Sequence, residues 1–305
     1  MYSRANHTFT GTYCRTIAID RLVDQFLESS PPVHDSTSEP KRQKKQIISL
    51  GAGTDTRYFR LRKAGKTNDL IYHEFDFPDV ARLKHVTVRK NASLQDDNEE
   101  LFEEEVDGET RWGFKSRPTT PTGPTKDQRA SNHAKYGFHP LDLRSLPSTP
   151  LSSITALETD IPTLLISECC LCYLPTQTTS QIIQHFQSSI ENLGIILYEP
   201  IGPNDAFGQM MKQNLKARGL SMPTVAAFED LDAQRGRMRS AGFGSGWDAI
   251  DIEGVWERWV VGSEKERVDA LEGLDEVEEW LVLARHYAVV WGWKGMGFGG
   301  WNGVR

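Results

Sequence analysis

The chain is short of cysteine, of long apolar runs and of positive charge, and each shortage narrows what it can be. Four cysteines occur in 305 residues, and three of them, Cys169, Cys170 and Cys172, crowd into one apolar segment far from Cys14. Side chains that close together are badly placed to pair with one another, so free thiols in a reducing compartment are expected rather than a disulfide-stapled secreted scaffold. No stretch reaches the roughly 18 consecutive apolar residues that a membrane span needs, and "MYSRANHTFTG" lacks the apolar centre of a signal peptide. A net charge of −7 leaves no electrostatic footprint for nucleic acid. The expectation is a soluble, cytoplasmic, monomeric protein with no nucleic-acid or membrane partner.

The hydrophobic fraction, 38%, is low for a globular chain and fits a real core diluted by polar insertions. "TYCRTIAIDRLVDQFL" (12–27) places Ile17, Ile19, Leu22, Val23, Phe26 and Leu27 close to a helical stripe. A Pro-, Ser- and Lys-rich linker, "ESSPPVHDSTSEPKRQKK", precedes the short buried strand "QIISL". "LIYHEFDFP" (70–78) reads as a second strand closed by Pro78, "KYGFHPLDLRSL" (135–146) as a third, and "TLLISECCLCYLP" and "LGIILYEPI" as strands covered on both faces. "TSQIIQHFQSSI" and "AFGQMMKQNLKARG" read as helices, and "LDEVEEWLVLARHYAVVWGWKG" as a helix running into a strand. Residues 85–134, acidic and then rich in Pro and Thr, read as a solvated or disordered insertion. Strands alternating with helices predict an α/β protein with a doubly wound, mostly parallel sheet.

The most informative stretch is "QIISLGAGTDTRYFRL" (46–61), a strand that ends in Gly51-Ala52-Gly53. Such a turn lets backbone approach a ligand with no Cβ in the way, at the carboxyl end of a strand, where open α/β sheets bind. A phosphate-binding P-loop would need Lys-Ser/Thr after the turn, and a dinucleotide fold would want a third glycine where Thr56 stands. S-adenosylmethionine has no phosphate and asks only for close passage and a carboxylate on the next strand to accept from its ribose hydroxyls. Asp76 stands there, 25 positions after Gly51, with Glu74 two residues earlier on the same strand face. The competing bland reading is a structural glycine turn beside a surface acid. The three thiols at 169–172 lack further ligands at metal spacing and are expected to pack in the core, with no metal bound.

"LGAGTDTRYFRL", "EFDFPDVARLK", "LISECCLCYLP", "EPIGPNDAFGQMMKQNL" and "LDEVEEWLVLARHY" occur in the order found in leucine carboxyl methyltransferases, which the chain resembles over residues 10–84 and 135–295. That resemblance implies a single class I methyltransferase domain over 1–305, with a seven-stranded sheet ending in an antiparallel hairpin. It implies S-adenosylmethionine as cofactor. The reaction it implies is methyl esterification of the C-terminal leucine carboxylate of the protein phosphatase 2A catalytic subunit. Position by position it assigns Arg15 to the cofactor's carboxylate, Gly51 and Gly53 to the turn and Asp76 to the ribose. Asp142 and Leu143 are assigned beside the adenine, and Glu168 close to the cofactor. Arg144 and Tyr173 match positions near the substrate pocket and are the candidate catalytic residues, with Tyr198 a weaker third. Family members carry further helical residues ahead of the "TYCR" helix, including a lysine, and show Asn-Arg-Gly where this chain reads "TFTGTY". The departure bears on cofactor affinity and turnover.

A peptide α-carboxyl group, with a pKa of about 3.3–3.7, is already ionised at neutral pH, so its methylation needs orientation and desolvation rather than a general base. Rival readings are a non-catalytic binder of cofactor or phosphatase, a methyltransferase for another carboxylate such as one on a modified tRNA base, and a dinucleotide oxidoreductase. The Gly- and Trp-rich tail "WGWKGMGFGGWNGVR" receives no role.

Overall fold

The computed structural model describes residues 3–29, 43–106, 108–117, 134–271 and 277–304. Its contacts gather into two compact units, one of Ser30–Ile166 with Gln184–Leu193, the other of Met1–Ser29, Ser167–Ile183 and Gly194–Arg305. The amino-terminal helix α1 (Ser3–Glu28) belongs to the second unit. Most of the linker expected after it lies outside the described residues.

In the first unit β1 (Lys45–Leu50) leads through the glycine turn into α2 (Arg57–Lys63), and β2 (Leu70–Asp76) leads into α3 (Pro78–Lys90). β3 (Glu99–Val106), β4 (Glu109–Ser116) and β5 (Ala134–Pro140) follow, and β6 (Thr163–Glu168) begins there. Every residue of β1 is buried, as its short apolar run implies. α3 starts with Pro78, whose fixed φ suits the first turn, and carries Asp79 there and Arg89 and Lys90 in its last turn, charges that suit the two ends of the helix dipole. Its buried residues Ala81, Lys84, His85 and Val88 recur at helical spacing. β1 runs parallel to β2, and β2 parallel to β5.

The second unit holds most of β7 (Leu193–Pro200), which follows α4 (Thr176–Ser189). Then come α5 (Ala206–Ala217), α6 (Pro223–Ala227), α7 (Leu231–Ser240) and β8 (Gly246–Asp251), followed by α8 (Ile252–Arg258), α9 (Gly262–Leu271), α10 (Val277–Ala284) and β9 (Tyr287–Lys294). Three of these helices are capped by an aspartate accepting from a first-turn amide: Asp205 from Gly208, Asp230 from Ala233 and Asp251 from Gly254. β7 is buried along its length, and β8 pairs antiparallel with β9, as expected for the last strands.

The sheet is large, mostly parallel, and has nine described strands where seven were expected, in the order β3-β4-β5-β2-β1-β6-β7-β9-β8. The two additional strands, β3 and β4, form an antiparallel hairpin inside the 85–134 segment that composition presented as a solvated insertion. The hairpin is half hidden in the sequence because its outer strand faces water: Glu103, Glu104 and Glu105 are exposed, an acidic edge that resists pairing with other chains. Its inner strand is core. Trp112 is fully buried, stacks on Phe138 with ring centroids 5.6 Å apart, and donates its indole N–H to the Ala81 carbonyl at 3.0 Å. A Cβ on Gly113 would meet the Tyr136 carbonyl oxygen at 2.0 Å, so that glycine is what lets β4 close on β5. The Pro- and Thr-rich remainder, 118–133, lies outside the described residues.

The first unit also buries two histidines against each other, His73 Nδ1 lying 2.9 Å from His139 Nε2, and His73 Nε2 lying 3.2 Å from the Gln46 side-chain oxygen. Burial, helped by the Arg111 charge, lowers His73 to about 3, and burial likewise holds His139 far below the usual range. Unfolding frees both to protonate near pH 6.5, so their contribution to stability is intact above that pH and is lost as pH falls. Relative to a His73→Gln/His139→Gln variant, the wild type should lose about 1.4 kcal/mol per histidine per pH unit below about 6.5, measured by urea unfolding at stepped pH. Parallel stability curves for the two proteins would contradict the neutral-pair assignment.

Candidate functional site

The glycine turn follows from where β1 must stop. Gly51 and Gly53 have φ of 66° and 50°, in the left-handed region that L side chains rarely adopt. The Gly51 and Ala52 amides both donate to the Phe75 carbonyl, at 2.8 and 3.3 Å, which folds the turn against the end of β2. Asp76, the last residue of that strand, accepts the Gly53 amide on Oδ2 at 2.8 Å and the Phe77 amide on Oδ1 at 2.7 Å. A carboxylate has about four acceptor positions, so Asp76 is oriented by two backbone donors and keeps capacity for two hydroxyl donors. No other atom lies within 4 Å of where a Gly53 Cβ would stand, so the turn faces open space. Phe77, next in sequence after this acid, is an exposed aromatic residue (51%). The sequence reading did not single it out, although an aromatic directly after a ribose-binding acid was a usable signal.

Asp142 and Arg144 stand on one short turn of the same unit. The Asp142 carboxylate caps that turn by accepting the Arg144 amide at 2.9 Å, and it takes Nε at 2.9 Å and Nη2 at 2.5 Å of the exposed Arg144 guanidinium. Hydrogen bonding from Arg144 holds the Asp142 carboxyl below the usual range. Two residues expected to serve different ligands therefore hold each other. Leu143, between them, is buried.

The second unit gathers Arg15, Glu168, Tyr198 and Tyr173. Arg15, from α1, places its guanidinium 5.6 Å from the centre of the Tyr198 ring, with Nε 3.5 Å from Glu168 Oε2. That Nε is buried and makes no hydrogen bond. Cys169, directly after Glu168, is held at φ 46° and donates its amide to the Tyr198 carbonyl at 2.8 Å. A non-glycine residue there stores strain, a common feature of sites whose geometry is over-determined. Burial pushes the Cys169 thiol up to about 12, which leaves it an uncharged packing group.

A cavity of about 280 Å³ opens among these residues, walled by Ile252, Trp280, Leu283, Ala284, Tyr198 and Tyr287, with Arg15 at its polar side. A second, also about 280 Å³, shares Tyr287 and is lined by Tyr173, Phe207, Met210, Met211, Leu215 and Met222, with Arg218. Tyr198 and Tyr287 stack at 5.4 Å; burial raises both hydroxyls, Tyr287 to about 12, and burial raises Tyr173 as well. All three therefore act as neutral donors at physiological pH. Each volume sits just under the roughly 300–1,000 Å³ usual for whole small-molecule sites, which suits amino-acid-sized groups. The methionine lining was missed because "QMMKQ" reads as an ordinary amphipathic helix until its neighbours are known. Among the described residues no group of three or more His, Cys, Asp or Glu could hold a metal ion, and no helix is long and apolar enough to cross a membrane.

A mostly parallel sheet whose first strand ends in a glycine turn against an acid on the second is the framework of a nucleoside-binding methyltransferase. The comparisons make that specific. Residues 2–187 match the family described as leucine carboxyl methyltransferase. The chain is 41% identical to leucine carboxyl methyltransferase 1 of Aspergillus fumigatus, across 96% of this chain and 75% of that protein. It is 40% identical to that of Emericella nidulans, across 96% and 76%. Among solved structures it is similar to an O-methyltransferase family protein from Burkholderia thailandensis, with a TM-score of 0.45, 11% identity, and coverage of 97% and 61%. The chain belongs to the leucine carboxyl methyltransferase family. It is thus an enzyme that methylates carboxyl groups, and family membership implies a leucine carboxylate on a protein as acceptor and S-adenosylmethionine as donor.

The residues present fit that donor. In the first unit, the open left-handed turn at Gly51–Gly53 and the Asp76 carboxylate with acceptor capacity to spare are features a nucleoside would use; in the second, the Arg15 guanidinium, its buried Nε 3.5 Å from Glu168, is a cation that a ligand carboxylate would use. The strain at Cys169 gives a separate check. Cys169→Val should cost about 1–3 kcal/mol of stability, because a β-branched side chain tolerates this φ poorly, whereas Cys169→Gly should hold it within about 1 kcal/mol. Chemical denaturation of the two variants measures this, and equal stabilities would remove the strain.

Proposed function

We propose that the protein transfers the methyl group of S-adenosylmethionine to the C-terminal leucine α-carboxylate of the protein phosphatase 2A catalytic subunit. The observation that carries this reading is the pair of cavities joined at Tyr287. One holds Arg15, whose buried Nε makes no hydrogen bond and lies 3.5 Å from Glu168 Oε2, and the other is apolar and bounded by the Tyr173 hydroxyl-bearing ring. In this assignment Arg15 takes the cofactor's carboxylate, with Glu168 nearby to complement its amino group. Gly51 and Gly53 let the turn approach the cofactor, Asp76 takes the ribose hydroxyls, and Asp142 and Leu143 border the adenine, with Phe77 added as a face for it. The acceptor leucine's side chain lies against Met210, Met211 and Met222, soft side chains that adapt to the shape presented to them.

Bound S-adenosylmethionine supplies a methyl group already activated by its sulfonium. The protein's own task is to strip water from an ionised carboxylate and hold one oxygen in line with that group. Tyr173, Tyr198 and Tyr287 suit this because they stay protonated and each keeps a hydroxyl proton to donate. No base is required. Arg144 is the remaining donor, and its use requires the guanidinium to be shared with or released from Asp142. That exposed pair is screened by solvent and cheap to open.

Transfer of labelled methyl to the purified phosphatase catalytic subunit tests the reading, beside the same subunit lacking its terminal leucine. Label on the intact subunit alone supports it. Label on both would assign the enzyme another carboxylate, and label on neither with cofactor bound would make the protein a binder. Arg144→Ala should lower transfer about 100-fold while cofactor affinity stays within about three-fold. Equal loss of both would remove Arg144 from the acceptor side.

A further inference from the structure

Beneath the glycine turn lies a buried ion pair that no role assigned above explains. Glu74 is fully buried on β2, two residues before Asp76. Its Oε2 receives the Lys84 ammonium at 2.5 Å and the Tyr136 hydroxyl at 2.8 Å, and its Oε1 is buried with no partner. Lys84, from α3, is itself buried and spends a second donor on the Asp55 carbonyl at 2.6 Å. Asp55 closes the turn: its amide donates to the Ala52 carbonyl at 2.8 Å, and its carboxylate holds Arg57 at 2.6 Å.

Stability alone gives such a pair little reason to exist, because desolvating two charges consumes most of what their attraction returns, and well-packed apolar residues often do as well. Burial moreover raises the Glu74 carboxyl to about 7 against the pull of Lys84. What the pair does supply is a fixed point. Through Asp76 the end of β2 grips the turn at the Gly53 amide, and through Glu74 and Lys84 it grips the same turn two residues further on, at the Asp55 carbonyl. We propose that Glu74 and Lys84 are positioning residues for the cofactor turn, a second anchor that keeps the Gly53–Asp55 backbone set against Asp76. The proposal rests on the reading of that turn as the cofactor's binding site.

The test compares Lys84→Met, Glu74→Gln and the double variant by calorimetric titration with S-adenosylmethionine, thermal unfolding, and methyl transfer at saturating cofactor. Lys84→Met should weaken cofactor binding about ten-fold or more, lower the melting temperature because Glu74 is left buried and alone, and change the saturated rate by less than about two-fold. Removing the stranded charge in the double variant should return the melting temperature to near wild type while cofactor affinity stays low. A double variant that recovers both, or a Lys84→Met protein that loses stability with affinity intact, would make the pair merely structural and overturn the proposal. Wild-type protein that binds no cofactor removes the reading of the turn and this proposal with it. Wild-type binding matched by every variant overturns this proposal alone.

Discussion

One hydrogen bond organises the first unit's binding edge: the Gly53 amide to the Asp76 carboxylate, at 2.8 Å. It can form only because Gly51 and Gly53 adopt left-handed backbone and because β1 and β2 run in parallel register, Leu50 opposite Phe75, which brings both strand ends to the same level. The bond turns a strand terminus into an acceptor with defined orientation. A surface aspartate with a free side chain would lose rotamer entropy on meeting a ribose; one already held by two amides loses far less. The same economy extends to Lys84 and Glu74, which hold the far side of the turn from within the core.

The second unit brings together a different set of groups, a cation among tyrosines. Arg15 lies half-buried over an aromatic face, 3.5 Å from Glu168 and with its buried Nε making no hydrogen bond. Around it stand tyrosines whose hydroxyls burial has made poor acids, and a left-handed Cys169 that fixes the backbone between Glu168 and the thiol cluster. These groups favour binding and orienting an anion over moving a proton, which matches the chemistry of a carboxylate that is ionised before it arrives.

Much of this was legible in the sequence. The Gly51–Gly53 turn and the position of Asp76 could be read because backbone geometry and strand spacing leave few residue types able to do their work. The buried strands announced themselves as unbroken apolar runs. The hairpin 99–116 did not, because its outer strand carries glutamates to water and its inner strand earns its place through Trp112 and Phe114, which meet their partners only in three dimensions. Lys84 on α3 carries no local mark of its burial, and the Met-lined cavity became visible only once Tyr173 and Tyr287 were seen on its walls. Side chains that act through distant neighbours leave no local pattern to read.

The central claim is that the turn held by Asp76 receives S-adenosylmethionine. Calorimetric titration of the protein with that compound, beside Asp76→Ala, tests it most directly. The account predicts one-site binding to the wild type and loss of about ten-fold or more in the variant, as expected when hydroxyls lose a charged acceptor. Wild-type binding that Asp76→Ala leaves unchanged would contradict it.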